Sequence, residues 1–340
     1  MASINDIAKE LGLSTTTISR VLNNKGDFYR ISKATQSKVR ELAEKLHYVP
    51  NEYAANLRSG KTNTIALSIP SFRNPFFGRI ANDLNKELRN HGFLTIFSES
   101  DENEEIEKKA LKKLRSRNIE GLIIAPCGSN PDEIMILHEK GLPIVCIDRY
   151  YEKTKIPYVS TDNFIGAYEA TKYLIEMGHR NIACLQGNKS SVPNRKRVEG
   201  YLKALEDANL NKTYIAGDSF SEKNGYLETK LLLQNKEKIS AIFTLSNTIA
   251  IGSLQALAEE GVKVPDDISI ITFDDASYLS LFSTPITSIA QPIEDISKLV
   301  IKILMAKLAN NPLPINQILL KPKIIHRSSV IPFTGNKSIA

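Results

Sequence analysis

Short apolar runs that alternate with amphipathic helical segments occupy most of the 340-residue chain, and they form two series. In the first series, strands are predicted at residues 64–70, 93–98, 121–125 and 144–147, with helices at 82–90, at 104–117 and between the last two strands. In the second, strands at 182–185, 241–244 and 268–273 are interspersed with helices at 166–177, 198–208, 225–233 and 249–260. Short apolar strands separated by helices are typical of parallel sheets that are covered on both faces.

The two series repeat one motif, an apolar strand that ends in an aspartate. Residues 143–148 read PIVCID, and residues 268–274 read ISIITFD. This repetition predicts two doubly wound lobes. Ligands of such sheets bind outside the carboxyl ends of the strands, so we expect Asp148 and Asp274 at the rim of one shared cleft. A carboxylate that closes an apolar strand is costly unless it is paired or functional.

Residues 3–23 carry a different pattern, two short helices around a tight turn. Ser3 and Asp6 have the spacing of a capping box, and Gly12 can adopt the positive φ that ends a helix. Ser14 is then placed to cap a second helix. The polar face of that helix carries short side chains and one arginine, with no acidic residue: Thr15, Thr16, Thr17, Ser19, Arg20 and Asn23. Such a face can reach base edges and phosphates in a major groove.

This pattern predicts a helix-turn-helix whose second helix is the recognition helix. A generic helical hairpin with a solvated polar face would give the same pattern. A third helix is predicted from Ser32 to about Leu46, which closes a three-helix head. The formal charge of +6 is unevenly placed, since residues 1–61 hold ten Lys and Arg against six Asp and Glu, whereas the other 279 hold 34 against 32. A basic excess in the head is what phosphate binding requires.

The segment that follows the head, residues 50–61, has Pro50 and Gly60 near its two ends. Between them the sequence allows about two turns of helix, which should not persist alone in water. The segment is predicted to fold only when it docks against a partner. A plain linker with nascent helicity would have the same sequence pattern.

Several classes of protein are disfavoured by what the sequence lacks. The N-terminal residues have neither a basic nor an apolar region of a secretory signal, and no apolar run approaches the ~20 residues of a membrane helix. Three widely spaced cysteines, Cys127, Cys146 and Cys184, are expected to be buried free thiols in a reducing cytoplasm. No P-loop, G-x-G-x-x-G, H-E-x-x-H or G-x-S-x-G motif is present. We therefore expect no catalytic residue, no metal and no cofactor. A periplasmic sugar-binding protein would fit the lobes alone, but it would need a signal peptide and leaves residues 1–60 unexplained.

Six motifs in combination identify a family. They are residues 7–23 (IAKELGLSTTTISRVLN), 48–51 (YVPN), 177–182 (MGHRNI), 197–201 (RVEGY), 264–269 (VPDDIS) and 287–292 (TSIAQP). Over residues 2–331 the chain resembles the lac repressor/galactose repressor family of bacterial transcription regulators. The resemblance implies a three-helix head (1–49), a hinge helix and linker (50–61) and a two-lobed domain like the periplasmic binding proteins (62–340). Its N-lobe would hold about 62–161 and 292–321, and its C-lobe about 162–291 and 322–333.

The resemblance also implies residues that contact DNA. Thr15, Thr16 and Arg20 fall at base-reading positions, and Leu57 falls where an apolar wedge kinks the duplex. The residues at phosphate-contacting positions are Ser3, Ser14, Thr17, Ser19, Asn23 and Asn51. On sequence alone, Leu57 would more simply pack against its own domain. The chain departs from the lac repressor at Thr15 and Thr16, so its operator preference should differ, and in a longer loop at residues 24–31 that carries Phe28 and Tyr29.

A small-molecule cleft between the lobes is implied in the same way. The positions that match effector contacts are Phe76, Phe77, Arg197, Phe220, Asn247, Asp274 and Gln291, to which Asp148 is added. Aromatic faces that cover C–H groups, together with Arg, Asp and Asn side chains that bind hydroxyls, suit a polyol. Phe76 and Phe77 could equally belong to the core or to a dimer interface. A purine or nucleoside is the alternative effector.

Together these features predict a cytoplasmic, DNA-binding transcriptional regulator and not an enzyme. It is expected to be a repressor that binds a near-palindromic operator as a homodimer and responds to a sugar-like effector. Residues 331–340 contain no heptad repeat, so a dimer is expected rather than a tetramer.

Overall fold

The structure is a computed structural model that describes residues 2–48, 62–234 and 238–334. It divides into two compact units, Met1–Thr62 and Asn63–Ala340. The predicted hinge at residues 50–61, with Asn51 and Leu57, lies outside the described residues.

Up to residue 48, the N-terminal unit contains three helices, α1 (Ile4–Leu11), α2 (Thr15–Leu22) and α3 (Lys33–Lys45). The predicted caps are confirmed: the Ser3 and Asp6 side chains form a complete capping box, and Gly12 ends α1 in the left-handed conformation with φ 64°. Ser14 caps α2 and Ser32 caps α3. One apolar core joins the three helices, formed by Ile7, Ala8, Ile18, Val21, Val39, Leu42 and Ala43.

The first lobe of the larger unit, here the N-lobe, is built on an all-parallel sheet. Its elements are β1 (Thr64–Ile69), α4 (Pro75–Asn90), β2 (Leu94–Glu99), α5 (Glu104–Ser116), β3 (Gly121–Ile124), α6 (Asp132–Glu139), β4 (Ile144–Ile147) and β5 (Tyr158–Thr161), joined later in the chain by α11 (Ile293–Leu308) and β11 (Gln317–Leu320). The strand order is β11-β5-β4-β3-β1-β2. Apolar clusters cover both faces of this sheet, as the continuous apolar strands predict.

The second lobe, here the C-lobe, repeats the plan. Its elements are α7 (Asn163–Glu176), β6 (Ile182–Leu185), α8 (Val192–Asp207), β7 (Tyr214–Ala216), α9 (Glu222–Leu233), β8 (Ala241–Thr244), α10 (Asn247–Glu259), β9 (Ser269–Phe273), β10 (Thr287–Ala290) and β12 (Lys323–Ile325), with a 3₁₀ helix at Ser277–Ser280. The order is β12-β10-β9-β8-β6-β7. Only the β10–β12 pair is antiparallel in this sheet as described. The predicted fold of a helix-turn-helix head and two doubly wound lobes is thereby observed.

The structure corrects several predicted element boundaries. The helix predicted at 82–90 begins at Pro75, because Asn74 caps it and proline occupies its first turn. The helix predicted at 198–208 begins at Val192, where Pro193 again lies in the first turn. Five short strands and α11 were not predicted. Four of these strands, β5, β10, β11 and β12, and α11 adjoin the three passages of the chain between the lobes, which no local sequence signal marks. The fifth strand, β7, is a three-residue strand at the edge of the C-lobe sheet.

Cys127, Cys146 and Cys184 are buried free thiols, as predicted. Within the described residues, no helix combines the length and the apolar character that a membrane span needs.

Candidate functional sites

The polar face of α2 is the first candidate site, and it is the face predicted from the sequence. Thr15 and Thr16 are exposed, while Ser19 and Arg20 are half-buried. The helix contains no acidic residue, and Arg20 lies in its last turn. An anionic ligand such as a phosphate backbone would therefore meet no carboxylate from α2.

Several predicted phosphate contacts already make internal hydrogen bonds. The Ser14 hydroxyl accepts from the Thr17 amide (3.1 Å), and the two hydroxyls lie 2.9 Å apart. The Asn23 side chain donates to the Ser19 carbonyl (2.8 Å), and the Ser3 hydroxyl donates to Asp6 (2.8 Å). These bonds fix the side chains near the ends of α1 and α2, and hydroxyl oxygens retain capacity for a further partner.

The second candidate site is a narrow cavity between the two lobes, with an enclosed volume of about 20 Å³. Its lining includes seven residues predicted from the sequence, namely Phe76, Phe77, Asp148, Arg197, Phe220, Asp274 and Gln291, and five others, Asn74, Arg149, Ser191, Pro193 and Ser246. Asn247, the eighth predicted residue, is not part of the lining but directly follows Ser246 in the chain. The cavity lies at the carboxyl ends of both parallel sheets, as the topology requires.

Asp148 and Asp274 end β4 and β9 in the same unusual backbone conformation. Their φ angles are 56° and 70°, in the left-handed region that residues other than glycine rarely adopt. Aspartate tolerates this region better than most residues, because its short side chain bonds locally. Such backbone strain is concentrated at functional sites. The two matching strand ends predicted from the sequence therefore share their geometry as well.

Arg197 and Asp274 belong to one network of buried polar groups. The Arg197 guanidinium donates to Asn163 (2.8 Å) and to the Leu245 carbonyl (2.6 Å), and its Nη2 lies 3.8 Å from Asp274 Oδ1. Its Cζ lies 3.7 Å from the centroid of the Phe273 ring. These contacts leave the arginine one main orientation, directed at the cavity.

Gln291 connects this network to the passages between the lobes. Its amide nitrogen donates to Asp274 Oδ1 (2.5 Å), and its amide oxygen accepts from the Thr161 hydroxyl. Thr161 ends β5 and Gln291 follows β10, so both lie where the chain leaves one lobe for the other. A ligand that moves Asp274 therefore acts directly on two of the three interlobe passages.

Arg149 is a lining residue that the sequence reasoning missed. Its guanidinium is buried and forms a two-pronged pair with Glu102, at 2.7 and 2.6 Å. Its Cζ lies 5.7 Å from the ring centroids of both Phe77, in the N-lobe, and Phe220, in the C-lobe. Its position directly after Asp148 was the available signal, since residues just beyond the carboxyl end of a parallel strand lie where such sheets bind ligands.

The charges around the cavity do not balance. Two arginines, Arg149 and Arg197, face three carboxylates, Asp148, Asp274 and Glu102. Glu102 pairs with Arg149, and Asp274 faces Arg197, so Asp148 is the carboxylate left over; its nearest cation is the Arg149 Nε at 4.0 Å. Burial raises the pKa of Asp148 to about 6, against the lowering effect of the two arginines.

Two lining residues, and Asn247 directly after the lining residue Ser246, carry buried polar atoms that have no hydrogen-bond partner among the described residues. They are Oδ1 of Asp148, the Ser191 hydroxyl and both amide atoms of Asn247. Unpaired buried polar groups are rare in folded proteins because each one costs desolvation energy. Here they supply an acceptor, a hydroxyl and an amide, which a polar ligand could satisfy together.

The aromatic lining comes from both lobes. Phe76 and Phe77 pack edge to face at 5.1 Å and are almost fully buried, so they belong to the N-lobe core as well as to the cavity. Phe220 lies against Gly187, where an added Cβ would approach the ring to 2.3 Å. A glycine at 187 is thus required for the observed position of the Phe220 ring. Among the described residues, no group of His, Cys, Asp and Glu is arranged to hold a metal ion.

Comparisons with known proteins match both parts of the chain to one family. Residues 3–51 match the family described as bacterial regulatory proteins, lacI family, and residues 62–312 match the periplasmic binding proteins and sugar binding domain of the LacI family. The transcriptional regulator DegA of Bacillus subtilis is 35% identical over 86% of this chain and 87% of its own. The transcriptional repressor PurR of Aliivibrio fischeri is 30% identical over 97% of this chain and 99% of its own.

Two solved structures are similar to the whole chain or to its lobes. The lac repressor dimer bound to operator and the anti-inducer ONPF has a TM-score of 0.86 at 25% identity, covering 97% of this chain and 99% of that chain. A LacI-family regulator from Enterococcus faecium with bound ribose has a TM-score of 0.73 at 27% identity, covering 80% and 100%. The chain described here belongs to the LacI family of DNA-binding bacterial transcriptional regulators.

Proposed function

We propose that this chain is a cytoplasmic repressor that binds a near-palindromic operator as a homodimer and is controlled by a monosaccharide, with ribose the first candidate. Residues 1–49 would be the DNA-binding head, 50–61 the hinge and 62–340 the effector-binding and dimerisation domain. The observation that carries the proposal is the interlobe cavity, in which unsatisfied buried polar atoms and aromatic rings meet.

On the DNA side, the proposal gives Thr15, Thr16 and Arg20 the base-reading role. The proposed phosphate contacts are Ser3, Ser14, Thr17, Ser19, Asn23 and Asn51, and Leu57 is the proposed wedge. Exposure of Thr15 and Thr16 on an acid-free helix supports the base-reading role. Asn51 and Leu57 rest on sequence resemblance alone.

The chemistry of the cavity supports a sugar. Carboxylates, arginines and amides can form paired hydrogen bonds with vicinal hydroxyls, and a phenyl ring covers the C–H face of a sugar ring. The enclosed space of about 20 Å³ has room for about one water molecule, so a ligand would enter this cavity only when the lobes move apart. A monosaccharide needs a smaller separation of the lobes than a disaccharide does. The Enterococcus faecium regulator, whose structure contains ribose, makes that pentose the first sugar to test.

The proposed switch depends on the contacts of Gln291. A sugar held between Asp148 in the N-lobe and Asp274 in the C-lobe would favour one angle between the lobes. Gln291 would transmit that preference to the interlobe passages through its bonds to Asp274 and Thr161. A ligand moves such an equilibrium only by the difference in its affinity for the two states, typically 1–3 kcal/mol.

A second copy of the chain is the proposed partner of several exposed apolar side chains. In the C-lobe these are Leu227, Leu231, Leu281 and Phe282, of which Leu281 is 82% exposed. In the N-lobe, Phe72, Leu94 and Phe97 are exposed, and the Phe72 and Phe97 rings pack edge to face at 5.9 Å. Exposed apolar side chains that come together in one patch are typical of interaction surfaces, and the Phe72 and Phe97 rings are such a pair. The similar lac repressor structure is of a dimer, which supports a second copy as the occupant.

Calorimetric titration of the full chain tests the ligand assignment. The panel is ribose, arabinose, glucose, cellobiose, ribose 5-phosphate, adenosine and hypoxanthine. We expect ribose to bind at one site per chain and to change operator affinity about five-fold or more in a DNA-binding assay. If adenosine or hypoxanthine binds and none of the sugars does, the effector is a purine and not a sugar. Turnover of a sugar by the purified chain would contradict the non-enzymatic assignment.

Two adjacent aspartates provide a matched pair of variants for this titration. Asp274→Asn removes a charge from the cavity and should abolish ribose binding. Asp275 pairs with Arg327 at 2.8 Å and is not part of the lining, so Asp275→Asn should bind ribose like the wild type. Equal loss in both variants would show that the ligand is bound elsewhere.

A further inference from the structure

The loop between α2 and α3, residues 24–31, is tightly anchored to the helices on both sides. Its backbone amides bond to earlier carbonyls, from Lys25 to Arg20 (2.8 Å), from Tyr29 to Lys25 (3.1 Å) and from Ile31 to Gly26 (2.9 Å). These bonds form a regular series of turns. The loop therefore holds its side chains in fixed places relative to α2.

A buried glutamine of α3 reinforces this anchor. Gln36 is only 5% exposed, and its amide donates to Asp27 (2.9 Å) and to the Ile31 carbonyl (2.8 Å). Asp27 also pairs with Lys33 at 2.8 Å. An added Cβ at Gly26 would lie 2.4 Å from the end of the Gln36 side chain, so a larger residue there would displace the Gln36 amide from its two partners.

The anchored loop presents two aromatic side chains to solvent. Phe28 is 81% exposed and Tyr29 is 42% exposed, and their rings pack edge to face with centroids 4.9 Å apart. The head has an apolar core, but the Phe28 and Tyr29 rings are not part of it. Their exposure is not explained by the folding of the head.

Tyr29 faces the arginine of the recognition helix. The Arg20 Cζ lies 3.7 Å from the centroid of the Tyr29 ring. In the described part of the head, the carboxylate pair is Asp27 with Lys33, and no carboxylate pairs with Arg20. The ring face is thus the defined contact of this guanidinium, and it restricts a side chain that otherwise has many rotamers.

We infer that Tyr29 is a positioning residue that holds Arg20 ready to bind a guanine in the major groove. Arginine reads guanine through two hydrogen bonds, to O6 and N7, and this contact needs a defined orientation of the guanidinium fork. Stacking on the tyrosine restricts Arg20 before DNA arrives, so less ordering is needed on binding. The inference rests on the base-reading role of Arg20 under the proposed function. It adds that the loop, and not α2 alone, sets operator specificity.

A double-mutant cycle tests this inference. The operator is a duplex that the wild-type chain selects from a random library, and the control is a random duplex at the same salt concentration. Tyr29→Ala should weaken operator binding by about three- to fivefold and leave binding to the random duplex unchanged. Tyr29→Phe keeps the ring and should restore operator binding. In an Arg20→Ala background, Tyr29→Ala should have no further effect, because Tyr29 acts through Arg20.

The contrary outcomes are equally clear. Equal weakening on both duplexes, or additive effects of the two substitutions, would show that Tyr29 only stabilises the head or contacts DNA by itself. Thermal melting of each variant identifies unfolding, and Tyr29→Phe separates loss of the ring from loss of the hydroxyl. If the wild-type chain selects no sequence from the library, the proposed function is contradicted. If the wild type is selective and Tyr29→Ala binds the operator equally well, this inference alone is overturned.

Discussion

Asp148 shows at the scale of one residue how the proposed binding site would cost stability. It is buried beside Arg149 and Arg197, but Glu102 and Asp274 already face those cations. Its Oδ1 has no hydrogen-bond partner among the described residues, and its backbone is in the left-handed region. Each feature is unfavourable for folding and useful for holding a hydroxyl group. The residue is therefore better explained by a ligand than by the fold.

Asp148→Asn should stabilise the ligand-free protein and abolish sugar binding. Burial raises the pKa of Asp148 to about 6, above its value in the unfolded chain, so its ionisation costs stability as the pH rises through this range. The gain should be about 1–3 kcal/mol above pH 7 and should fade as the pH falls toward 4, where the wild-type carboxyl is protonated. Denaturant titrations at several pH values measure this gain. A variant less stable than the wild type at pH 7.5 would show that the arginines need this third carboxylate.

At the scale of the element, one pair of helices in the C-lobe, α9 and α10, packs in unusually close contact. Gly225 in α9 and Gly252 in α10 lie where the two helices approach so closely that no side chain fits between them. A Cβ on Gly252 would lie 1.8 Å from the Glu222 carbonyl oxygen, and one on Gly225 would lie 2.0 Å from that of Ile249. These obstacles are backbone atoms, which cannot move aside as a side chain can.

Gly252→Ala should destabilise the protein by about 1–3 kcal/mol or more, because the helices must separate. The matched control is Gly78→Ala in α4, where the added Cβ meets only the Phe72 carbonyl oxygen at 3.9 Å. That substitution should be neutral or stabilising by up to about 1 kcal/mol, since alanine favours a helix over glycine. Thermal unfolding of the two variants measures the difference. Similar melting temperatures would mean that the α9–α10 contact is readily adjusted.

At the scale of the whole effector-binding unit, the two lobes contact each other at the start of α8. Glu152 of the N-lobe pairs with Arg195 (3.1 Å) and Lys196 (3.5 Å) of the C-lobe. Val192, in the first turn of α8, packs into an N-lobe apolar cluster. The observed arrangement therefore has contacts at its edge that would be lost if the lobes separated.

Glu152→Gln should weaken sugar binding about two- to fivefold, because exposed ion pairs contribute at most about 1 kcal/mol. The effect should shrink at high salt, where such pairs are screened. Glu199→Gln is the control, since Glu199 pairs with Lys196 (2.9 Å) within α8 and does not bridge the lobes. Calorimetry at low and high salt compares the two variants. If the two variants weaken sugar binding equally, the loss reflects the change in net charge and not the contact between the lobes.

Assembly provides the other prediction at this scale. Leu281→Glu places a charge on the proposed dimer face, so it should shift sedimentation equilibrium toward monomers and weaken operator binding while sugar binding stays within about twofold. Ile315→Glu is a matched control, since Ile315 is 71% exposed but is not part of that face. Dimers that persist in Leu281→Glu would place the interface elsewhere.

The sequence alone determined the features that depend on near neighbours. The caps at Ser3, Gly12 and Ser14 act within one helical turn, and the apolar strands that end in Asp148 and Asp274 are visible as short runs. Family resemblance added the predicted lining residues. The predicted strand ends do lie at one cavity, because carboxyl ends of parallel strands share one edge of a sheet.

Only the tertiary structure determined the contacts between residues that are far apart in the chain. Arg149 meets Glu102 from 47 positions away, and Thr161 meets Gln291 from 130 positions away. The Tyr29 ring over Arg20 was equally invisible in the sequence, whereas the return of residues 292–321 to the N-lobe was implied by the family resemblance and not by any local pattern. Caps and apolar periodicity are local and carry their signal along the chain, whereas pairing across the lobes depends on how whole sheets are placed. The sequence therefore specified which groups the site contains, and the fold decided which of them meet.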